Sequence, residues 1–236
     1  MTSVKRPLAA GAASLSRPSP AKRPAMIIAI DGPTASGKGT VAAGVAKHYG
    51  LKRLDTGALY RAVGLAVLDT GGDPADEATA VRAAESLDLS AIDESRIRSS
   101  AAGLAASKVA AISAVRAVLR RAQRAFAADP AGAVLDGRDI ATVICPDAEV
   151  KLFVTADLEA RTERRLKELR GRGESIEFDA LKAQIAERDQ RDMTRADSPL
   201  RQAPDAHLLD TTHLSIEASV EAACRIIDAA LARPGT

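Results

Sequence analysis

The sequence predicts an α/β fold, a five-stranded parallel sheet covered by helices on both faces. Three observations carry that expectation. Five short apolar runs alternate with longer helical stretches, the order from which parallel sheets are built. Apolar residues make up 46% of the 236-residue chain, yet aromatics make up only 2% and tryptophan is absent. The core must therefore be Ala, Leu, Val and Ile, which suits a sheet flanked by Ala-rich helices. Finally, the first apolar run leads through a glycine-rich loop straight into a helix, the context in which such a loop binds phosphate.

The elements follow in order. Met26-Ile27-Ile28-Ala29-Ile30 is short and rich in Ile, the character of a buried strand. Gly32-Pro33-Thr34-Ala35-Ser36-Gly37-Lys38-Gly39-Thr40 comes next, and 41–49 reads as a helix halted by Gly50. Leu51-Lys52-Arg53-Leu54 is a second strand. Asp55-Thr56 suits a helix start, with Leu59, Val63, Leu65, Ala66 and Leu68 as its apolar face and Gly71-Gly72 as its stop. Asp73-Pro74 opens a helix running to about Leu87. Residues 89–100 are polar and weakly patterned, whereas 101–128 is strongly helical in two pieces and ends at Asp129-Pro130. Strands return at 131–135 and 149–154, helices cover 158–169 and 178–195, and 206–210 is a last strand. Ser215 caps a C-terminal helix to about Leu231. No internal repeat is present.

The first 25 residues stand apart. They hold Lys5, Arg6, Arg17, Lys22 and Arg23, no acidic residue, and Pro7, Pro18, Pro20 and Pro24. Such a stretch reads as a disordered tail, with Met26 as an alternative start. It lacks the apolar core of a secretory signal. The whole chain carries a net charge of +2, which gives no argument for nucleic acid or a membrane. The tail's charges come without an aromatic platform for bases, and no apolar run reaches transmembrane length. Cys145 and Cys224 match no metal spacing and suit a reduced, cytoplasmic protein. No apolar heptad calls for assembly, so a monomer is expected.

The glycine loop carries the chemistry. Glycines let successive N–H groups turn inward as an anion nest at a helix N-terminus. Lys38 would reach the β- and γ-phosphates of a nucleotide, with a hydroxyl near Mg2+. The usual motif has Ser or Thr directly after the lysine; here Gly39 intervenes and Thr40 follows. Asp55, Asp136, Asp139 and Asp210 each lie just past a strand, on the rim where open α/β sheets bind ligands. A hydroxyl acceptor would need a general base, but a phosphomonoester is already largely dianionic at neutral pH. It needs cations instead, and arginine's planar fork matches phosphate oxygens. Arg61 follows the second strand and Arg138 the third, between two carboxylates. Arg161, Arg164 and Arg165 share one side of a helix, as do Arg188, Asp192 and Arg195. The residues thus point to phosphoryl transfer between two phosphates.

Four further motifs sharpen this reading: Asp55-Thr56-Gly57-Ala58-Leu59-Tyr60-Arg61; Ala106-Ser107-Lys108-Val109-Ala110 with Val115-Arg116; Asp136-Gly137-Arg138-Asp139-Ile140; and Glu187-Arg188-Asp189-Gln190-Arg191-Asp192 through Arg195. In this order behind a Gly-Lys-Gly-Thr loop, they resemble the bacterial cytidylate kinases, from Met26 to about Leu231. The resemblance implies a P-loop kinase that moves the γ-phosphoryl of ATP to CMP or dCMP. It implies acceptor contacts from Thr56 and Tyr60, and base reading by Ser107, Arg116 and Asp139. Arg61, Arg138 and Arg195 would hold the acceptor phosphate, and Arg188 and Asp192 would face the ribose. Arg161, Arg164 and Arg165 would sit on a short lid at about 158–173 that excludes water. The domain would span 26–232, with a nucleoside monophosphate subdomain at 61–116 that is reduced relative to relatives carrying a β-containing insert. Lys38, Arg138, Arg161, Arg165 and Asp136 are the expected catalytic set. Asp136, by position, and Thr40 are the candidates for Mg2+, directly or through water.

Rival readings differ at identifiable residues. An adenylate kinase departs from both the Asp-Thr-Gly-Ala-Leu-Tyr-Arg and the Asp-Gly-Arg-Asp stretch, and a uridylate kinase differs in the base it reads. A GTPase switch needs Asn-Lys-x-Asp, which the chain lacks.

Overall fold

The computed structural model describes residues 26–88, 92–93 and 95–232. The predicted tail at 1–25 lies outside them, as does part of the weakly patterned stretch at 89–100. Five parallel strands form one sheet: β1 (Ile27–Asp31), β2 (Lys52–Asp55), β3 (Ala133–Gly137), β4 (Val150–Thr155) and β5 (His207–Asp210), in the order β2-β3-β1-β4-β5. From β1 the chain passes over β3 to reach β2, whereas from β3 it passes over β1 to reach β4. The connections therefore diverge at the carboxyl ends of β1 and β3, which opens a crevice there.

The period-2 alternation of the strands decides what each face holds. Ile28, Ile30, Val134, Leu152 and Val154 point to one face and pack on Val41 and Val45 of α1 (Lys38–Tyr49) and Ala223 and Ile227 of α8 (Ile216–Leu231). Ala29, Ala133 and Leu135 point to the other, against Ile140, Ala141 and Ile144 of a wide π-type turn, Ile140–Ile144. Short side chains on both layers explain how a core with so few aromatics closes.

Between β2 and β3 the chain is helical wherever it is described: α2 (Thr56–Asp69), α3 (Glu77–Glu85), α4 (Ser100–Val109) and α5 (Ser113–Ala127). These helices share their own apolar cluster around Leu59, Val63, Val67, Val109, Val115 and Leu119. Asp55 caps α2 by accepting from the Ala58 N–H at 3.1 Å, an unmet donor satisfied locally. The α2 face differs from the predicted one. Leu59 and Val63 are buried as expected, but Leu68 is 37% exposed, and Ala62 and Val67 take the inner positions. The cause is the close crossing of α2 and α4. A Cβ on Gly64 would stand 2.7 Å from the Cβ of Ala105, so the helices meet backbone to backbone along that stripe. Helix α3 starts at Asp76, which accepts from Thr79 N at 2.9 Å, rather than at Asp73-Pro74. Asp73 instead closes a turn onto Ala75 N at 3.0 Å.

Beyond β4, α6 (Leu158–Arg170) and α7 (Phe178–Thr194) form a hairpin with a small core of Leu166, Leu169, Leu181 and Ile185. Helix α1 begins at Lys38, three residues before the expected start at 41; the remaining strands and helices agree with the sequence reading to within one or two residues. Among the described residues no single helix is long and apolar enough to cross a membrane.

Candidate active site

The glycine loop leaves β1 at its carboxyl end and closes onto α1. Gly32 is dictated by space: a Cβ there would lie 2.0 Å from the carbonyl oxygen of Val154 on the neighbouring strand. Ala35 (φ 60°) and Gly37 (φ 84°) carry the left-handed conformations that turn the loop inward. In the first turn of α1 the N–H groups of Lys38 and Gly39 have no intrahelical acceptor. They open on a cavity of about 960 Å³, near the upper end of the usual ligand-pocket range of roughly 300–1,000 Å³.

That cavity joins almost every residue singled out from the sequence. Thr34, Ala35, Gly37, Lys38, Gly39 and Thr40 of the loop line it, and so does the acceptor set Thr56, Tyr60, Arg61, Ser107, Arg116, Arg138, Asp139, Arg188, Asp192 and Arg195. Gly32, Pro33 and Ser36 support the loop from behind; the Pro33 carbonyl accepts from Lys38 Nζ at 3.2 Å. Arg164 and Arg165 reach the cavity, the former bonded to Thr211 and the latter to Glu168 at 2.7 Å.

Two expectations are corrected. Arg161 does not line the cavity. It is buried, donating to Asp189 at 2.5 Å and to the carbonyls of Ala156 and Thr34 at 2.9 and 3.1 Å, so in this structure it braces the loop from α6. Asp210 is not on the rim of the site. Its exposed carboxylate accepts from the N–H and hydroxyl of Thr212 at 2.8 and 2.6 Å, the behaviour of a turn former.

The electrostatics favour anions. Eleven Lys or Arg side chains line the cavity against five Asp or Glu. Burial, followed by the charge of Arg138, lowers the Lys38 ammonium to about 7 and the Arg188 guanidinium to about 10. Burial and then Arg116 likewise lower Arg195. Burial pushes Asp55 up, but the Arg61 guanidinium, 2.7 Å away, together with Arg53 and Lys38 outweighs it and holds the carboxyl below its usual range. Asp136 is raised, by burial first and then by Asp55, its direct neighbour across β2 and β3.

Arg138 bridges three elements. Its Nε donates to Asp192 on α7 at 2.9 Å, and its Nη2 to the Thr34 hydroxyl of the loop at 2.8 Å. A third bond goes to its neighbour, the Gly137 carbonyl of β3, at 3.3 Å. Arg116 donates to Asp139 at 2.6 Å with both side chains buried. Thr56 donates to the Asp136 carbonyl at 2.8 Å. Four guanidinium nitrogens on arginines that line the cavity, Arg61 Nε, Arg116 Nε, Arg188 Nε and Arg195 Nη2, are buried without a hydrogen bond among the described residues, although Arg116 Nε lies 3.8 Å from Asp197 and Arg195 Nη2 lies 3.8 Å from Asp139. Buried donors are normally hydrogen-bonded; several left without such a bond on arginines of one cavity suit an anionic, oxygen-rich ligand.

Some contributors escaped the sequence reading. Arg53 on β2 lines the cavity and donates to Asp136 at 2.8 Å. It is the second residue of β2, two before the end residue Asp55, and position along the strand gave no signal that its long side chain reaches the rim. Asp31, last in β1, is raised to about 7 by burial while accepting from Ile140 N and Ala141 N at 2.9 and 2.8 Å. It ties the start of the loop to the segment that follows Asp139.

The cytidylate kinase family model matches residues 28–229. The cytidylate kinase of Brucella suis biovar 1 (strain 1330) is 56% identical over 207 residues, 88% of this chain and 94% of that protein. That of Afipia carboxidovorans (strain ATCC 49405 / DSM 1227 / KCTC 32145 / OM5) is also 56% identical over 207 residues, 88% of this chain and 99% of its own. Among solved structures, an uncharacterized protein from Eubacterium ventriosum ATCC 27560 shares the fold, with a TM-score of 0.52 at 15% identity, over 86% of this chain and 98% of that one. A match over nearly the whole described chain, on an α/β sheet with a phosphate loop at the head of α1, decides the relationship: this chain belongs to the cytidylate kinase family.

Proposed function

We propose that the protein transfers the γ-phosphoryl group of ATP to CMP or dCMP, giving ADP and CDP or dCDP. The observation that carries the reading is the crowding of Arg61, Arg116, Arg138, Arg188 and Arg195 onto a cavity that also holds the phosphate loop. One pocket thus offers sites for two anions, and a repelling pair of nucleotides needs that positive wall to approach.

In this reading ATP lies on the loop, with Lys38 on its β- and γ-phosphates and Leu214 and Ile216, exposed apolar side chains at the cavity, toward its base. Arg61, Arg138 and Arg195 take the acceptor phosphate. Arg188 and Asp192 face the ribose, and Thr56 and Tyr60 flank the nucleotide. Arg116, Asp139 and Ser107 read cytosine, whose N4 amino donor and O2/N3 acceptors match a carboxylate, a guanidinium and a hydroxyl. Residues 61–116 act as the reduced acceptor subdomain, and the segment at about 158–173, which contains α6, acts as the lid, its Arg164 and Arg165 closing over the phosphates. No side-chain base is required. The dianionic acceptor attacks in line, and the arginines lower the cost of bringing the charges together.

The oxygens present fit Mg2+. Thr40 offers a hydroxyl at the cavity, and Asp136 offers Oδ1 while Arg53 holds its Oδ2. A metal bound through one carboxylate, waters and substrate phosphates is the usual arrangement for this ion. When bound, it would neutralise charge on the β- and γ-phosphates. The same reading takes the protein as a cytoplasmic monomer, supported by two free, buried cysteines.

The decisive assay offers Mg-ATP with CMP, dCMP, UMP, AMP and GMP in turn and follows ADP. Strong turnover is expected with CMP and dCMP and much weaker turnover with UMP. Equal rates on AMP would overturn the acceptor assignment. A second expectation comes from Lys38. With its pKa lowered to about 7, the side chain is mostly neutral at pH 8. A polyphosphate beside it favours the ammonium and raises that pKa, so binding takes up a proton. Calorimetry with ADP at pH 8, in two buffers of different ionisation enthalpy, should give buffer-dependent heats. Identical heats would place the ammonium already charged in the free protein.

A further inference from the structure

Two helices build opposite walls of the acceptor end of the cavity: α4 carries Ser107, and α7 carries Arg188 and Asp192. The bonds between them form two rungs. Arg188 Nη1 donates to the Gly103 carbonyl at 3.4 Å, and Arg191 Nη1 donates to the Ser107 hydroxyl oxygen at 2.9 Å. The rungs lie about one turn apart on each helix. The first is long and belongs to an arginine already assigned to the nucleotide. The second is short and comes from a residue that does not line the main cavity.

We propose that Arg191 is a positioning residue for acceptor choice, holding the Ser107 hydroxyl at the cavity wall where it meets the base of the nucleoside monophosphate. This rests on the reading of the cavity as a cytidine nucleotide site. Ser107 is 6% exposed; its oxygen accepts from Arg191, and among the described residues it has no other hydrogen-bond partner. Serines on helices commonly bond back to the carbonyl four residues earlier, as Ser86 and Ser219 do here. Ser107 does not. A guanidinium can only donate, so the bond to Arg191 occupies one lone pair and leaves the hydroxyl proton and the other lone pair for the ligand. Arg191 is itself steadied by Glu187, one turn earlier on α7, at 3.5 Å. Base choice would thus depend on a side chain outside the cavity, acting through one inside it.

A double-mutant cycle on the full-length protein tests this, reading KM for CMP, KM for ATP and the CMP-to-UMP ratio of kcat/KM. Ser107→Ala should raise KM for CMP about tenfold, the scale of one lost hydrogen bond to the base. Arg191→Met should raise it by a similar factor, narrow the CMP-to-UMP ratio and leave KM for ATP unchanged. Arg191→Lys, which can still donate to Ser107, should restore most of the loss. The doubly substituted protein should be no worse than Ser107→Ala alone, because Arg191 then has nothing to position. If the two losses multiply, or Arg191→Met leaves KM for CMP and the ratio untouched, the proposal fails. If Arg191→Met does not fold, Arg191→Leu, which likewise cannot donate, takes its place in the cycle. A wild-type protein with no turnover of CMP would instead overturn the reading of the cavity itself.

Discussion

Lys38→Met is expected to lower kcat by about 10²–10³-fold, the scale on which a preorganised charge at a reacting group acts, while leaving the nucleotide-free protein no less stable at pH 7. Methionine keeps the unbranched stem and removes the charge that would follow the transferring phosphoryl group. The stability half follows from linkage. Burial and Arg138 hold the lysine at about 7 in the folded chain, against an ordinary 10.5. Folding therefore disfavours the protonated form, and this penalty fades as pH rises from 7 toward 10.5. Removing the amine removes the penalty. Steady-state kinetics and thermal melts at pH 7 read both halves. A variant that keeps wild-type kcat would take Lys38 out of the chemistry, and one that melts well below wild type would contradict the burial argument.

The second large effect is expected from Arg138→Lys, about 10²-fold in kcat/KM for both nucleotides with little change in melting temperature. The charge survives, but the geometry does not. Arg138 reaches Asp192 through Nε and Thr34 through Nη2, on α7 and on the phosphate loop. An ammonium is a point donor on a flexible stem and cannot hold both at arginine's fixed angle. Misplacing a reactant by an ångström is enough for a loss of this size. Equal activity in the variant would remove Arg138 from the site.

Much of the site was readable because chemistry left local marks. The Gly32 to Thr40 loop is legible since its glycines, its lysine and its flanking strand and helix are contiguous. Asp136-Gly137-Arg138-Asp139 is legible because four polar residues directly after an apolar run must lie at a strand's carboxyl end. Arg161 and Asp210 do not line the cavity, and sequence could not show this for a common reason. Spacing on a helix or position after a strand fixes where a side chain begins but not what it bonds. Arg161 has Asp189 and two carbonyls as competing partners, and Asp210 has Thr212 beside it. The face of α2 was misjudged because Gly64 admits a helix crossing that hydrophobic counting cannot anticipate.

By itself the sequence determined the α/β alternation, the phosphate loop and a supply of arginines at the carboxyl ends of strands, because apolar period, glycine placement and charge are properties of neighbouring residues. Only the tertiary structure decided which charges meet. Arg53 finds Asp136 across 83 positions of chain and Arg191 finds Ser107 across 84. These pairings depend on strand order and on helix packing. Both are settled by the burial of a whole core, and no stretch of adjacent residues encodes them.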